Sequence, residues 1–234
     1  SGQLCISIER IYVEESIAPE FIRMFGDRVK KMNLAAGYEF GIEMGSLVSE
    51  AQVKAISAHV DDAVVKGATV IAGGKARPDI GPLFYEPTLL TGVPEDAECY
   101  RDETFGPLVS IYPVKDVEEA IAAANDTEYG LNASVWAGSK AAGEAIAARI
   151  HAGTVNVDEG YAPTWGSTAA PMGGMGVSGV GRRHGAEGLI KYTEPQTVAT
   201  TRVMNLGGPR GLPAKVWAKL MPHAIKIMSW VPGR

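Results

Sequence analysis

Two cysteines in a chain of 234 residues are too few for a disulfide scaffold or a self-contained zinc site. No apolar run approaches the roughly 18 residues needed to span a bilayer. No basic cluster is present: 22 Lys and Arg stand against 27 Asp and Glu, and the net charge of −5 gives no electrostatic case for a nucleic-acid partner. The opening Ser1-Gly2-Gln3-Leu4-Cys5 lacks the basic region and apolar core of a secretory signal. With so few thiols, a reducing, cytoplasmic setting is expected. Internal repeats and low-complexity tracts are also missing. What remains is ordinary globular composition, 46% hydrophobic and 21% charged, at a length that suits one good-sized domain plus a small appendage.

Strand and helix patterns alternate along the chain, which predicts an α/β domain with a mainly parallel sheet and helices on both faces. Arg10 to Glu14 is β-rich, and Ile17, Phe21, Ile22, Phe25 and Val29 recur at helical spacing up to Met32. A loop with three glycines, Asn33 to Val48, separates that helix from one capped by Ser49 and running to Lys66. Strands are expected at Thr69–Ala72, Tyr85–Leu90, Leu108–Val114, Ala133–Trp136 and Thr154–Val157. Asp116 and Ser139 read as caps of helices reaching Ala124 and Ile150. Asp158 to Gly181 reads as loop. A late strand, Gln196–Arg202, and an amphipathic helix, Pro213–Val231, complete the chain.

Cys5 is the first candidate for chemistry. A thiol reacts as thiolate, and a free cysteine with a pKa of about 8.5 needs local help to ionise at neutral pH. Backbone N–H groups converging around Gly2 to Ile6 would stabilise a thiolate or an oxyanion. By spacing alone Cys5 reads sooner as a small buried hydrophobe between Leu4 and Ile6, the commoner situation for this residue type. Cys99 follows the acidic run Glu95-Asp96-Ala97-Glu98, which disfavours a thiolate, and is read as structural.

The segment Gly2-Gln3-Leu4-Cys5, with Arg10 five residues beyond the cysteine and a β-rich run after it, resembles the active-site signature of the aldehyde dehydrogenases. Three more blocks resemble that family's motifs, in its order. They are Glu103-Thr104-Phe105-Gly106-Pro107, Tyr129-Gly130-Leu131, and Pro171-Met172-Gly173-Gly174 through Ser178-Gly179-Val180-Gly181-Arg182. Gly73-Gly74 and Pro87-Thr88 fall where the family has them, so the resemblance covers residues 1 to about 200.

The resemblance implies that Cys5 is the nucleophile adding to a small-molecule aldehyde, and that Glu103 and Phe105 contact a nicotinamide cofactor, NAD or NADP. Leu4, Ile6 and Met172 are implied to line the substrate pocket, and no metal is implied. It also implies a catalytic domain over residues 1–195, an extension of strand and helix over 196–234, and homo-oligomers. The family's cofactor-binding domain, general-base glutamate and oxyanion-hole asparagine precede the cysteine and are absent from this chain. A fragment with little or no turnover by itself is therefore expected. A non-catalytic oligomerisation or interaction module that keeps the fold is the competing reading. Cys5, Glu103 and Phe105 together favour the enzyme.

Three positions depart from the family's habit: Met172 where an aromatic is usual, Gly176 where a lysine type is usual, and Asp158 where an asparagine ends the strand. The block Gly153 to Tyr161 and the extension after Arg202 look most like bacterial succinate-semialdehyde dehydrogenases. Arg182, Arg183 and His184 are candidates for holding a distal carboxylate, with a solvated helix start as the plainer account. Gly174-Met175-Gly176-Val177-Ser178-Gly179, with Glu194 twenty positions beyond Gly174, imitates a dinucleotide fingerprint. No strand precedes it, so a backbone-exposing loop is expected instead. The final helix, with Trp217, Leu220, Met221 and Ile225 among Lys215, Lys219, His223 and Lys226, is expected to pack on protein rather than on a membrane surface.

Overall fold

Leu89 and Leu90 are neighbours in sequence, yet they serve two different cores, as the period-2 alternation of a strand dictates. In the computed structural model, which describes residues 1–200 and 207–229, the elements run in this order. First come β1 (Arg10–Glu14), α1 (Ala18–Val29), α2 (Glu50–Val65), β2 (Thr69–Ala72), β3 (Thr88–Thr91) and α3 (Glu98–Arg101). Next are β4 (Leu108–Val114), α4 (Val117–Asn125), β5 (Tyr129–Gly130), β6 (Asn132–Val135), α5 (Lys140–Ala147) and β7 (Thr154–Val157). Last are α6 (Ala162–Gly166), β8 (Met175–Gly176), α7 (Gly185–Ile190) and α8 (Ala214–Met228).

The main sheet has the order β1-β4-β3-β2, with β1, β4 and β3 parallel and β2 antiparallel at the edge. Leu89 and Ile111 pack with Val13, Ala18, Val29 and Ala72 on the face covered by α1. Leu90 and Leu108 pack with Ile56, Val60 and Ala63 on the face covered by α2. Helices therefore lie on both faces of a mainly parallel sheet, the expected class. Leu89, Leu90, Ile111 and Ile56 are fully buried, each contributing roughly 1.5–3 kcal/mol. A parallel pair β6–β7 and a short antiparallel pair β5–β8 complete the sheets.

The caps read from sequence are present. Ser49 accepts from Gln52 N at 3.2 Å, Asp116 from Glu119 N at 2.9 Å, and Ser139 from Ala142 N at 3.3 Å. Four expectations need correction. The strand expected from Tyr85 begins only at Thr88, because Pro87 has no N–H for the ladder; Tyr85 instead bridges Ala76. The stretch Asp158–Gly181 is not all loop: Pro163 helps to start α6, and β8 pairs with β5. The helix from Ser139 ends at Ala147 rather than Ile150. The late strand is not formed over residues 196–200, which pair with no sheet edge among the described residues; residues 201–202 lie outside the described residues.

Backbone contacts divide the chain into Ser1–Tyr192 and Thr193–Arg234. Within the second unit, α8 lies inside the range expected for the final helix; Trp230 and Val231 lie outside the described residues. Gly208, at φ 76°, lies against Trp217, whose ring a Cβ there would meet at 2.7 Å. Among the described residues no helix is long and apolar enough to cross a membrane.

Candidate active site

Cys5 stands at the tip of a tight turn closed by Ser7 N donating to Leu4 O at 2.8 Å. The residue is exposed, and Leu4 is 44% exposed beside it. Ile6 is 3% exposed and anchors the turn in the interior. The Ile6 carbonyl is held in turn. Asn132, at the start of β6, donates from Nδ2 to Ile6 O at 3.2 Å and to Gly160 O at 3.3 Å. Its Oδ1 accepts from Thr154 Oγ1 at 2.9 Å and from Asn156 Nδ2 at 3.0 Å. The Thr164 hydroxyl donates to Asn156 Oδ1. Thr154 and Asn156 are buried at the inward positions of β7, so the cysteine turn rests on a satisfied polar floor. Sequence reading passed over this network. Its signal was the alternation Thr154-Val155-Asn156-Val157, with the polar residues facing in.

The second turn, Asp102 to Pro107, follows α3. Thr104 is buried, while Glu103 and Phe105 on either side are exposed. Phe105 has φ 51°, a left-handed conformation that costs a bulky residue roughly 1–2 kcal/mol and needs support from its surroundings. That support is complete on both sides of the backbone. Glu9 accepts from Thr104 N at 3.0 Å and from Phe105 N at 2.9 Å. Gln52 Nε2 donates to Thr104 O at 2.8 Å and to Phe105 O at 2.9 Å. The Thr104 hydroxyl lies 3.0 Å from His59 Nδ1. Burial pushes the Glu9 carboxyl above its usual range, against the two amide hydrogen bonds. Neither Glu9 nor Gln52 was among the residues chosen from sequence.

The two turns touch through Gly2. Its φ is 71°, and a Cβ there would overlap the Gly106 carbonyl oxygen. Gln3 ties the same segment to the loop before α2, its Oε1 accepting from Val48 N at 3.0 Å. The structure thus brings the backbone carrying Cys5 against the turn carrying Glu103 and Phe105.

Met172 is 4% exposed and paired through both backbone hydrogen bonds with Arg183 at 2.7 Å. It lies on a shallow depression of about 230 Å³ with Leu131, Gly174, Arg182 and Arg183. The glycine-rich stretch there is a backbone-packing device. Ser178 Oγ accepts from Gly130 N at 2.9 Å, β8 pairs with β5, and a Cβ on Gly153 would overlap the Gly173 carbonyl oxygen. No strand–turn–helix surrounds Gly174 to Gly179, so the fingerprint geometry is not formed. Arg182 donates to Gly174 O at 2.9 Å and Gly181 O at 2.7 Å, and the Arg183 guanidinium lies 4.8 Å from the Trp165 ring centroid. Arg182 is committed to the loop, whereas Arg183 is exposed just ahead of α7, as a solvated helix start would be. Cys99 is buried, which raises its thiol pKa to about 11. Among the described residues, no group of three or more His, Cys, Asp and Glu is placed to hold a metal ion.

Comparison with known proteins matches this arrangement to a family. The model of the aldehyde dehydrogenase family matches residues 1–198. A Mycobacterium tuberculosis H37Rv protein, provisionally named succinate-semialdehyde dehydrogenase (NADP+) 2, is 67% identical over all 234 residues, which make up 45% of that protein. A Mycolicibacterium smegmatis protein, provisionally named succinate-semialdehyde dehydrogenase (NADP+), is also 67% identical, with the same coverage. Glutarate-semialdehyde dehydrogenase of Pseudomonas aeruginosa is 37% identical over 194 residues, 83% of this chain and 39% of that one. The crystal structure of betaine aldehyde dehydrogenase from Staphylococcus aureus in complex with NAD+ superposes with a TM-score of 0.76 at 34% identity, covering 86% of this chain and 42% of that one. The chain spans less than half the length of the curated relatives it matches. It belongs to the aldehyde dehydrogenase family.

Proposed function

We propose that this chain is the cysteine-bearing catalytic half of an NAD(P)-dependent aldehyde dehydrogenase, with Cys5 as nucleophile and succinate semialdehyde as the aldehyde. The observation that carries this reading is an exposed thiol on a turn anchored from below by Asn132, its backbone packed against a second, braced turn that presents Glu103 and Phe105.

The chemistry assigned to Cys5 is covalent catalysis. Its sulfur, as thiolate, forms a bond to the carbonyl carbon, and the carbonyl electron pair moves onto oxygen to give a thiohemiacetal. A nicotinamide dinucleotide, when bound, supplies the hydride acceptor. Breaking the C–H bond of the thiohemiacetal, with loss of that hydride, leaves a thioester on Cys5, and water displaces the sulfur from it, giving the carboxylate, the thiolate and two protons released to solvent. The residues present fit such a cofactor. The exposed Glu103 carboxylate offers two acceptor oxygens to a ribose diol, and Phe105, 36% exposed, offers an aromatic surface beside it. Leu4, Ile6 and Met172 are assigned to the pocket wall, with Ile6 acting from beneath the turn.

The names of the mycobacterial relatives favour NADP and succinate semialdehyde; the Staphylococcus aureus complex keeps NAD in play. A homo-oligomer in the cytoplasm completes the proposal. The test is a chimera in which this chain follows the amino-terminal portion of the Mycolicibacterium smegmatis relative. Succinate semialdehyde with NADP+ is expected to give NADPH, and Cys5→Ala to abolish it. Turnover that survives Cys5→Ala would overturn the reading in favour of a module that has kept only the fold.

A further inference from the structure

Glu9 sits four residues after the nucleophile and just before β1, and its carboxylate reaches across to the turn at Thr104 and Phe105. Building on the function proposed above, we propose that Glu9 is a positioning residue for cofactor binding, holding Glu103 and Phe105 in register with the cysteine turn.

The geometry is that of an anion seated in a backbone nest. Two successive N–H groups, one on a residue with φ 51°, converge on one carboxylate, and each carboxylate oxygen accepts from a different amide. The same two residues turn their carbonyls to Gln52, so two side chains from separate elements hold all four backbone groups. The strand end from which Glu9 projects is fixed independently, because Ser110 N donates to Glu9 O at 2.9 Å. A shift of the 103–105 turn relative to β1 therefore breaks several hydrogen bonds at once. Glu103 and Phe105 are the exposed side chains of that turn, so what Glu9 controls is where they point.

Only a full-length carboxylate does this. Glutamine has the same reach but one acceptor; its –NH2 would face an N–H. Aspartate has two acceptors but is one methylene short. Neither Cys5 nor the Asn132 network contacts the Glu9 carboxylate through a hydrogen bond, so the aldehyde side of the site is left in place.

The experiment uses the chimera described above with Glu9→Gln and Glu9→Asp. For Glu9→Gln, the KM for NADP+ is expected to rise about tenfold, the size of one lost hydrogen bond, while the KM for succinate semialdehyde stays within about twofold. Glu9→Asp should recover part of the loss. The dissociation constant for NADPH, read by fluorescence without turnover, must move in parallel. It keeps the two proposals separate: a wild-type chimera that binds NADPH without oxidising aldehyde defeats the proposed function, and the Glu9 comparison still stands. Unchanged NADP+ KM and NADPH affinity in a folded Glu9→Gln protein overturn the role of Glu9. If Glu9→Gln does not fold, Gln52→Met removes the brace on the carbonyl side and must show the same split; a loss shared equally by both substrates would overturn the inference.

Discussion

Asn132 donates a hydrogen bond of 3.2 Å to the carbonyl oxygen of Ile6, across 126 positions of sequence, and so ties the residue next to Cys5 to the first residue of β6. Within the turn itself, the backbone bond from Ser7 N to Leu4 O closes it. Replacing Asn132 with Ala removes the donors to Ile6 O and Gly160 O and the acceptor for Thr154 and Asn156. Thr154 keeps its bond to Leu131 O and Asn156 its bonds to Ala133 O and Gly160 O, so neither buried side chain is orphaned, and the loss is expected to be about 1–2 kcal/mol in a denaturant melt. A melt unchanged by Asn132→Ala would show that the polar floor does not support the turn.

Cys5 and Cys99 should separate cleanly by alkylation. Cys5 is exposed, whereas Cys99 is 6% exposed, packed with Ile56, Leu90 and Leu108, and its thiol is held neutral by burial. Iodoacetamide at pH 8 is expected to modify the folded chain once, at Cys5, with Cys99 reacting only in denaturant. Peptide mass spectrometry reads the outcome, and modification of Cys99 at a comparable rate would contradict the packing described.

How much of this was legible in the sequence follows from what each signal is made of. Caps are local: Ser49, Asp116 and Ser139 needed only a side-chain oxygen three residues ahead of a free N–H, and the structure has each bond. Cys5, Glu103 and Phe105 were singled out only as motifs, since one cysteine looks like any other in composition, and their roles rest on the function proposed above. Glu9 and Gln52 were not legible at all. Their partners are main-chain groups 95 and 52 positions away, and main-chain groups carry no residue-type signal. The strand expected from Gln196 is not formed over residues 196–200, because propensity without an edge to pair with does not make a strand.

Cys99 also predicts an alkaline weakness. Its thiol pKa lies near 11 in the folded chain, against 9.0 for the group in water, so the folded state retains a proton that the unfolded state gives up. The stabilising contribution is full below pH 9 and is lost as pH rises through 11. Burial shifts the hydroxyl of Tyr85 to about 12 and that of Tyr112 upward in the same sense, extending the decline. Between pH 9 and 11 the melting temperature should therefore fall, with about 1–2 kcal/mol traceable to Cys99. Cys99→Ala should flatten that part of the profile even though the cavity lowers stability throughout. An equally steep decline in the variant would assign the effect to the tyrosines.

Gly2 gives the sharpest test of the contact between the two turns. Alanine there meets two penalties, the φ of 71° and the overlap of its Cβ with the Gly106 carbonyl oxygen. Gly106 cannot easily give way, because its own Cα lies against α2: a Cβ on Gly106 would meet Ile56 at 3.1 Å. The strain must therefore fall on the segment Ser1–Cys5, displacing Gln3 from Val48 N and moving the thiol relative to Glu103 and Phe105. In the chimera, Gly2→Ala is expected to lower kcat at least about tenfold, since small misplacements of reacting groups have large effects on rate. Gly138→Ala is the matched control, for nothing lies within 4 Å of a Cβ there. Stability and kcat should be unchanged in Gly138→Ala and reduced in Gly2→Ala. A Gly2→Ala enzyme with normal kcat would mean that the two turns do not need this close approach to work together.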